Sequence, residues 1–211
     1  ADVERVGREA GITFCFAQTF HPAMRHAGVA RRELGVATAF NFLGPLTNPA
    51  QPAASAIGVS DPRMAPVLAG VLAARGRSAL VFRGAEGLDE LSVCGPSTVW
   101  VVTPGQVRQT AVTLEELGLA THDIAQLRGG DPEANAEVVR AVLAGSAGPA
   151  RDAVLLNAAG GLVALDLAAD PGLAEEPIAD LLKVGLERAR QSIDSGAAAD
   201  ALQRWIEATL A

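Results

Sequence analysis

Ala79-Leu80-Val81-Phe82 is an unbroken apolar run with no polar alternate position. It is too short to make a helix of its own, so it reads as a strand covered on both faces, the parallel type. Its neighbours in the chain agree with that. Upstream, Asp61-Pro62 supplies an N-cap and a first-turn proline, and an apolar helix runs from there to Gly76. Before it, Ala56 to Val59 reads as another strand. Downstream, a polar loop over 83–97 leads to a third strand at Thr98 to Val102. This alternation predicts an α/β fold, a central sheet flanked by helices.

Farther out the pattern turns helical. Asp131-Pro132 caps a helix over 132–144. Residues 154–167 are apolar on nearly every side, which predicts a buried helix. Helical spacing continues over 175–192 and 197–210, whereas 103–130 offers only one turn at Leu114–Leu117. At the other end, Val3, Val6 and Ala10 share a helix face, and Gly11 is placed to end it. Ile12 to Phe16 reads as a buried strand, and Pro22 opens a helix to Gly35. Residues 41–54 carry Gly44, Pro45, Asn48, Pro49 and Pro52 and read as loop. There is no internal repeat or low-complexity linker, so residues 1–211 read as a single α/β domain.

Composition narrows the function. Of 211 residues, 49% are hydrophobic, which excludes intrinsic disorder. The net charge of -7 argues against nucleic acid and anionic lipid as partners. No apolar run approaches the roughly 20 residues of a membrane span, so no membrane is expected and cytoplasmic location is the reading. Lys183 is the one lysine among 17 Lys and Arg residues, and tyrosine is absent. That bias fits GC-rich coding better than an anion-binding surface. Cys15 and Cys94 stand far apart, without metal or disulfide spacing. No Gly-x-Ser-x-Gly, HExxH or Walker string is present.

Polar residues gather at three places. His21-Pro22-Ala23-Met24 opens the helix that runs to Gly35. A helix start can receive an anion, and His21 can equally serve as a cap. Arg31-Arg32-Glu33 follows on the same helix. An arginine fork can hold a carboxylate, and the triplet can equally be a solvated face. Gly84 to Leu91 places Glu86, Asp89 and Glu90 in one glycine-rich loop. Adjacent carboxylates repel unless neutralised, and hard oxygens suit Mg²⁺ shared with a phosphate; an ordinary acidic surface loop fits the same residues.

Taken together and in order, these strings resemble one family. Phe16-Ala17, His21-Pro22-Ala23-Met24, Arg31-Arg32-Glu33-Leu34-Gly35 and Phe40-Asn41-Phe42-Leu43-Gly44-Pro45-Leu46-Thr47-Asn48-Pro49 are similar to anthranilate phosphoribosyltransferases. The likeness continues through Gly87-Leu88-Asp89-Glu90-Leu91-Ser92, Gly129-Gly130-Asp131, Arg151-Asp152, Leu156-Asn157-Ala158-Ala159 and Ile193-Asp194-Ser195-Gly196. The resemblance implies transfer of the phosphoribosyl group of PRPP to the amine of anthranilate, releasing pyrophosphate, in tryptophan biosynthesis. By match, Arg31 contacts anthranilate, while Ala17, His21 and Met24 line its tunnel. Asp89 and Glu90 match the pair that holds Mg²⁺ on the pyrophosphate of PRPP. No residue is nominated as general base. The family is homodimeric.

Some positions depart from the family. Gln18 stands where proline is frequent, Phe20 where tyrosine or another aromatic is usual, and Met24 at a variable position. Gly160-Gly161 replaces an alanine pair and reads as a device for close helix packing. The family also has an N-terminal helical region used for dimerisation, and a GTGGD loop, an Asn-x-Ser-Thr segment and a Lys-His-Gly-Asn segment that bind PRPP; none of these is in this sequence. The resemblance therefore predicts a C-terminal α/β portion, truncated at its start. Alone it is expected to be inactive and to expose apolar surface that promotes association. Alternatives in the same superfamily are a non-catalytic or nucleic-acid-binding relative and a nucleoside phosphorylase. The acidic charge and the HPAM and FNFLGPLTNP strings count against them.

Overall fold

The structure is a computed structural model that describes residues 2–20, 33–35 and 40–211, with the side chains of Ala17, Gln18, Phe40 and Asn41 left aside. The chain divides into two compact units, Ala53–Ala199 and Ala1–Pro52 with Asp200–Ala211.

The α/β architecture read from the sequence is built in the larger unit. Its sheet has four strands in the order β1 (Ala54–Gly58), β2 (Ser78–Gly84), β3 (Ser97–Thr103) and β4 (Gln106–Val112). β1 and β2 run parallel, with Ala56 opposite Leu80. The other pairs are antiparallel, with Val81 opposite Trp100 and Val99 opposite Thr110. The expectation of a purely parallel setting for Ala79–Phe82 is thus half met. A helix, α4 (Ala65–Ala74), joins β1 to β2, as a parallel crossover requires, while β2 returns to β3 through a loop. β4 is an addition to the sequence reading. The Pro104-Gly105 dipeptide, with Gly105 at φ 76°, turns β3 directly into it.

Ala79, Leu80 and Val81 are fully buried because both faces of β2 are covered. Leu80 and Phe82, with Val99 and Val101, join one core with α7 (Pro149–Ala169) and α8 (Ile178–Asp194). Alternation turns Ala79, Val81 and Trp100 to the other face, where α4 packs over β2, β3 and β4. By length and composition α7 could cross a membrane. Its Leu155, Leu156, Ala159, Val163, Ala164 and Leu167 are buried, but Val154 and Leu165 are exposed, so the burial expected on nearly every side is met on one face only. Glycine serves close packing here, at Gly160 against Leu91 of the loop and at Gly185 between helices. A Cβ on Gly185 of α8 would lie 3.0 Å from the Cα of Ala159 on α7. Gly160 faces Leu91 and Phe82, and Gly161 faces open space.

Shorter elements follow local rules. Thr113 and Glu116 form a reciprocal capping box on α5 (Leu114–Leu117), and Gly118 ends it at φ 67°. Asp131 caps α6 (Pro132–Leu143) through the Ala134 N–H.

In the smaller unit, α1 (Asp2–Ala10) buries Val6 and Ala10 against Ala208 and Trp205 of α9 (Ala197–Leu210). Ile12 to Phe16 is not a buried strand. It pairs with no strand among the described residues, and Ile12, Phe14 and Phe16 are exposed. The apolar run has β composition but no ladder to satisfy its backbone. A short helix, α2 (Ala17–Phe20), follows. Residues 41–54 are not all loop, because α3 (Phe40–Leu46) is helical with Pro45 inside. Pro45 sits in the last turn, and the Thr47 hydroxyl donates to the Leu43 carbonyl at 2.8 Å, satisfying an end that proline would otherwise weaken. The expected helix over 22–35 lies almost wholly outside the described residues.

Candidate functional site

The parallel strands β1 and β2 end side by side, and the acidic loop rises from that end of the sheet, the usual location of ligand sites in α/β folds. Gly84 is paired with Ser97, so the ladder holds both feet of the loop. Inside it, the Gly84 N–H donates to the Leu88 carbonyl at 3.0 Å, and the Gly87 N–H to the Gly84 carbonyl at 3.0 Å. Gly87 has φ 104°, a backbone state that favours glycine. Arg83 braces the base, with Nε donating to the Ser60 carbonyl at 2.8 Å and Nη1 to the Gly84 carbonyl at 3.2 Å.

The three acids of the loop have different duties. Glu86 accepts a hydrogen bond from the Ser92 hydroxyl, which accepts in turn from the Cys94 N–H at 2.9 Å. Burial, and then the Glu86 charge, push the Cys94 thiol up from its ordinary value. Asp89 and Glu90 are exposed, adjacent, and without a hydrogen bond or ion pair among the described residues. Their backbone is confined. A Cβ on Gly58 would stand 1.5 Å from the Asp89 carbonyl oxygen, so only glycine lets the loop lie across the end of β1. On the far side, Leu91 is buried and held by the Asn157 side chain, whose Oδ1 accepts from the Leu91 N–H at 2.9 Å. Asn157 Nδ2 donates to the carbonyls of Leu91 and Ala153, each at 3.0 Å.

Two further side-chain pairs flank this region. Asp61 accepts two hydrogen bonds from the Arg63 guanidinium, at 2.8 and 3.1 Å. They hold its carboxyl down to about 2. His122 has Nε2 at 2.7 Å from Asp152 Oδ2, and its backbone N–H donates to the Val93 carbonyl at 2.8 Å.

Of the residues singled out from the sequence, Asp89 and Glu90, neighbours in the chain, are both exposed on the loop. Ala17 begins α2, and its side chain is not described. His21, Met24 and Arg31 lie outside the described residues. Gly58, Asn157 and the Glu86–Ser92 pair were missed. Glycine within a strand signals close backbone approach, so Gly58 was readable in principle.

Among the described residues no three Asp, Glu, His or Cys side chains converge as a metal site. Two exposed carboxylates with no competing partner among the described residues nonetheless fit Mg²⁺. That ion is commonly held by one or two carboxylates together with substrate phosphates.

The glycosyl transferase family, a/b domain, matches residues 1–199. The chain belongs to that family. Within the glycosyl transferase family it is similar to the anthranilate phosphoribosyltransferase of Arthrobacter sp. (strain FB24), at 58% identity over 98% of this chain and 58% of that protein. Its fold is similar to the crystal structure of anthranilate phosphoribosyltransferase from Thermus thermophilus, with TM-score 0.85 and 40% identity over 100% of this chain and 59% of the other. It is also similar to the Saccharomyces cerevisiae anthranilate phosphoribosyltransferase solved in complex with PRPP and Mg, with TM-score 0.75 and 28% identity over 90% of this chain and 52% of the other. The chain spans about three-fifths of the length of the curated relatives it matches.

Proposed function

We propose that this chain serves the transfer of the phosphoribosyl group of PRPP to the amine of anthranilate, giving N-(5-phosphoribosyl)anthranilate and pyrophosphate in tryptophan biosynthesis. The observation that carries the reading is the braced loop that leaves Asp89 and Glu90 exposed, without a partner among the described residues, at the end of the parallel strands. Its support is the 58% identity to a transferase of that name and the likeness to a solved relative in complex with PRPP and Mg.

In this reading Asp89 and Glu90 hold Mg²⁺ on the pyrophosphate of PRPP. The ion, when bound, offsets the charge that develops on the leaving group. Arg31 holds the anthranilate carboxylate through parallel N–H bonds. Ala17, His21 and Met24 line the acceptor channel. The amine nitrogen bonds to the anomeric carbon as the carbon–oxygen bond to pyrophosphate breaks, and the amine then loses a proton. A neutral aniline already has its lone pair free, so positioning contributes more than a strong base, and no general base is assigned. The whole protein is proposed to be a cytoplasmic homodimer.

The test is PRPP- and Mg²⁺-dependent loss of anthranilate, followed by its fluorescence, in the whole protein. Arg31→Met is expected to raise KM for anthranilate, and Asp89→Asn with Glu90→Gln to weaken the response to Mg²⁺. Unaltered Mg²⁺ dependence in the double variant would overturn the metal assignment. No PRPP-dependent consumption by the whole protein would overturn the activity.

A further inference from the structure

Asn157 is an amide side chain in the middle of an apolar helix, and two of its three hydrogen bonds go to one residue of the acidic loop. It accepts from the Leu91 N–H at 2.9 Å and returns a bond to the Leu91 carbonyl at 3.0 Å. Its remaining N–H donates to the Ala153 carbonyl one turn back on α7, at 3.0 Å, which fixes the direction of the amide. Leu91 directly follows Glu90 and is 1% exposed. Its peptide groups therefore have no water to turn to if the amide is removed. Asp89 and Glu90 make no bond through their own side chains among the described residues, so their aim is set by the backbone on either side. On one side that backbone is pressed against Gly58, and on the other it is gripped by Asn157.

We propose that Asn157 is the positioning residue of the acidic loop: by gripping both peptide groups of Leu91 it sets the direction in which Asp89 and Glu90 present their carboxylates to a metal–pyrophosphate ligand. This rests on the reading of Asp89 and Glu90 as the Mg²⁺ holders. Groups that hold metal ligands in place typically change metal affinity by about 10- to 100-fold when removed. The same molecule supplies a control. Asn135 grips Gly130 in the same reciprocal way, at 2.9 and 3.0 Å, but on the exposed loop that leads into α6.

The experiment measures Mn²⁺ affinity by electron paramagnetic resonance, with inorganic pyrophosphate present, in the whole protein. Amide hydrogen exchange over 86–94 and thermal unfolding are recorded on the same samples. Asn157→Leu is expected to weaken Mn²⁺ about tenfold and to speed exchange at Leu91, while Asn135→Ala leaves the affinity unchanged. If Asn157→Leu does not fold, Asn157→Asp carries the test. It is isosteric, keeps the acceptor for the Leu91 N–H and loses both donors, and is expected to weaken Mn²⁺ by several-fold. Unchanged affinity in a folded variant whose Leu91 exchange has accelerated overturns the proposal. Unchanged affinity in the Asp89→Asn, Glu90→Gln variant instead overturns the metal reading beneath it. In that case unchanged Leu91 exchange in the Asn157 variants would show that the grip does not hold the loop either.

Discussion

Gly58 shows how a single hydrogen atom in place of a side chain can decide where a loop lies. A methyl group there would meet the Asp89 carbonyl oxygen at 1.5 Å, far inside any contact distance, and the obstacle is backbone with little room to yield. Gly58→Ala is therefore expected to push the acidic loop off the end of β1 and to cost about 1–3 kcal/mol, the range for overpacking a filled site. Urea unfolding checks this, and an unshifted midpoint would show that the loop can lie elsewhere at no cost. The glycine itself was readable, since it falls inside the strand expected at Ala56–Val59. What approaches it was not, because contact between residues 58 and 89 depends on how the sheet is assembled. Asn157 has the same history. An amide in an apolar run marks a buried hydrogen-bonding job, but its partner lies 66 positions away.

Between elements, α8 approaches α7 closely at Gly185, which faces Ala159. Gly161, on the same helix as Ala159, faces open space. The two glycines should respond oppositely to alanine. Gly185→Ala is expected to destabilise by about 1–3 kcal/mol through overpacking, and Gly161→Ala to stabilise by about 0.5–1 kcal/mol through helix propensity. Paired thermal melts check the signs. Elements with a strong periodic or capping signal were legible, including α1, α6, the buried stretch of α7, and α9. Those decided by competition were not. β4 was hidden because its residues alternate weakly at a sheet edge, although Pro104-Gly105 marked the turn before it. α3 was hidden because Pro45 reads as a breaker in isolation yet sits harmlessly in the last turn. Ile12 to Phe16 erred in the other direction: composition suggested burial, and no pairing partner among the described residues provides it.

At the scale of the whole molecule, a charge of -7 favours solubility, while Phe14 and Phe16 present apolar rings 63% and 49% exposed with centroids 6.3 Å apart. Apolar surface of this kind drives association when it is contiguous. Light scattering is expected to give an average mass that rises with concentration, and Phe14→Ser with Phe16→Ser to lower it. A constant monomer mass would contradict the expectation. The grip of Asn157 on Leu91 also has a meaning in time. β2, β3 and β4 are consecutive in the chain and close through one moderate loop and one tight turn, so their pairing involves little loop-closure entropy. The bond from Leu91 to α7 must wait until a helix from much later in the chain has docked. A folding molecule can therefore complete that meander while its two carboxylates still point nowhere in particular. On the proposed reading, the sheet can form before α7 docks, and Asp89 and Glu90 gain their aim only once Asn157 has reached Leu91.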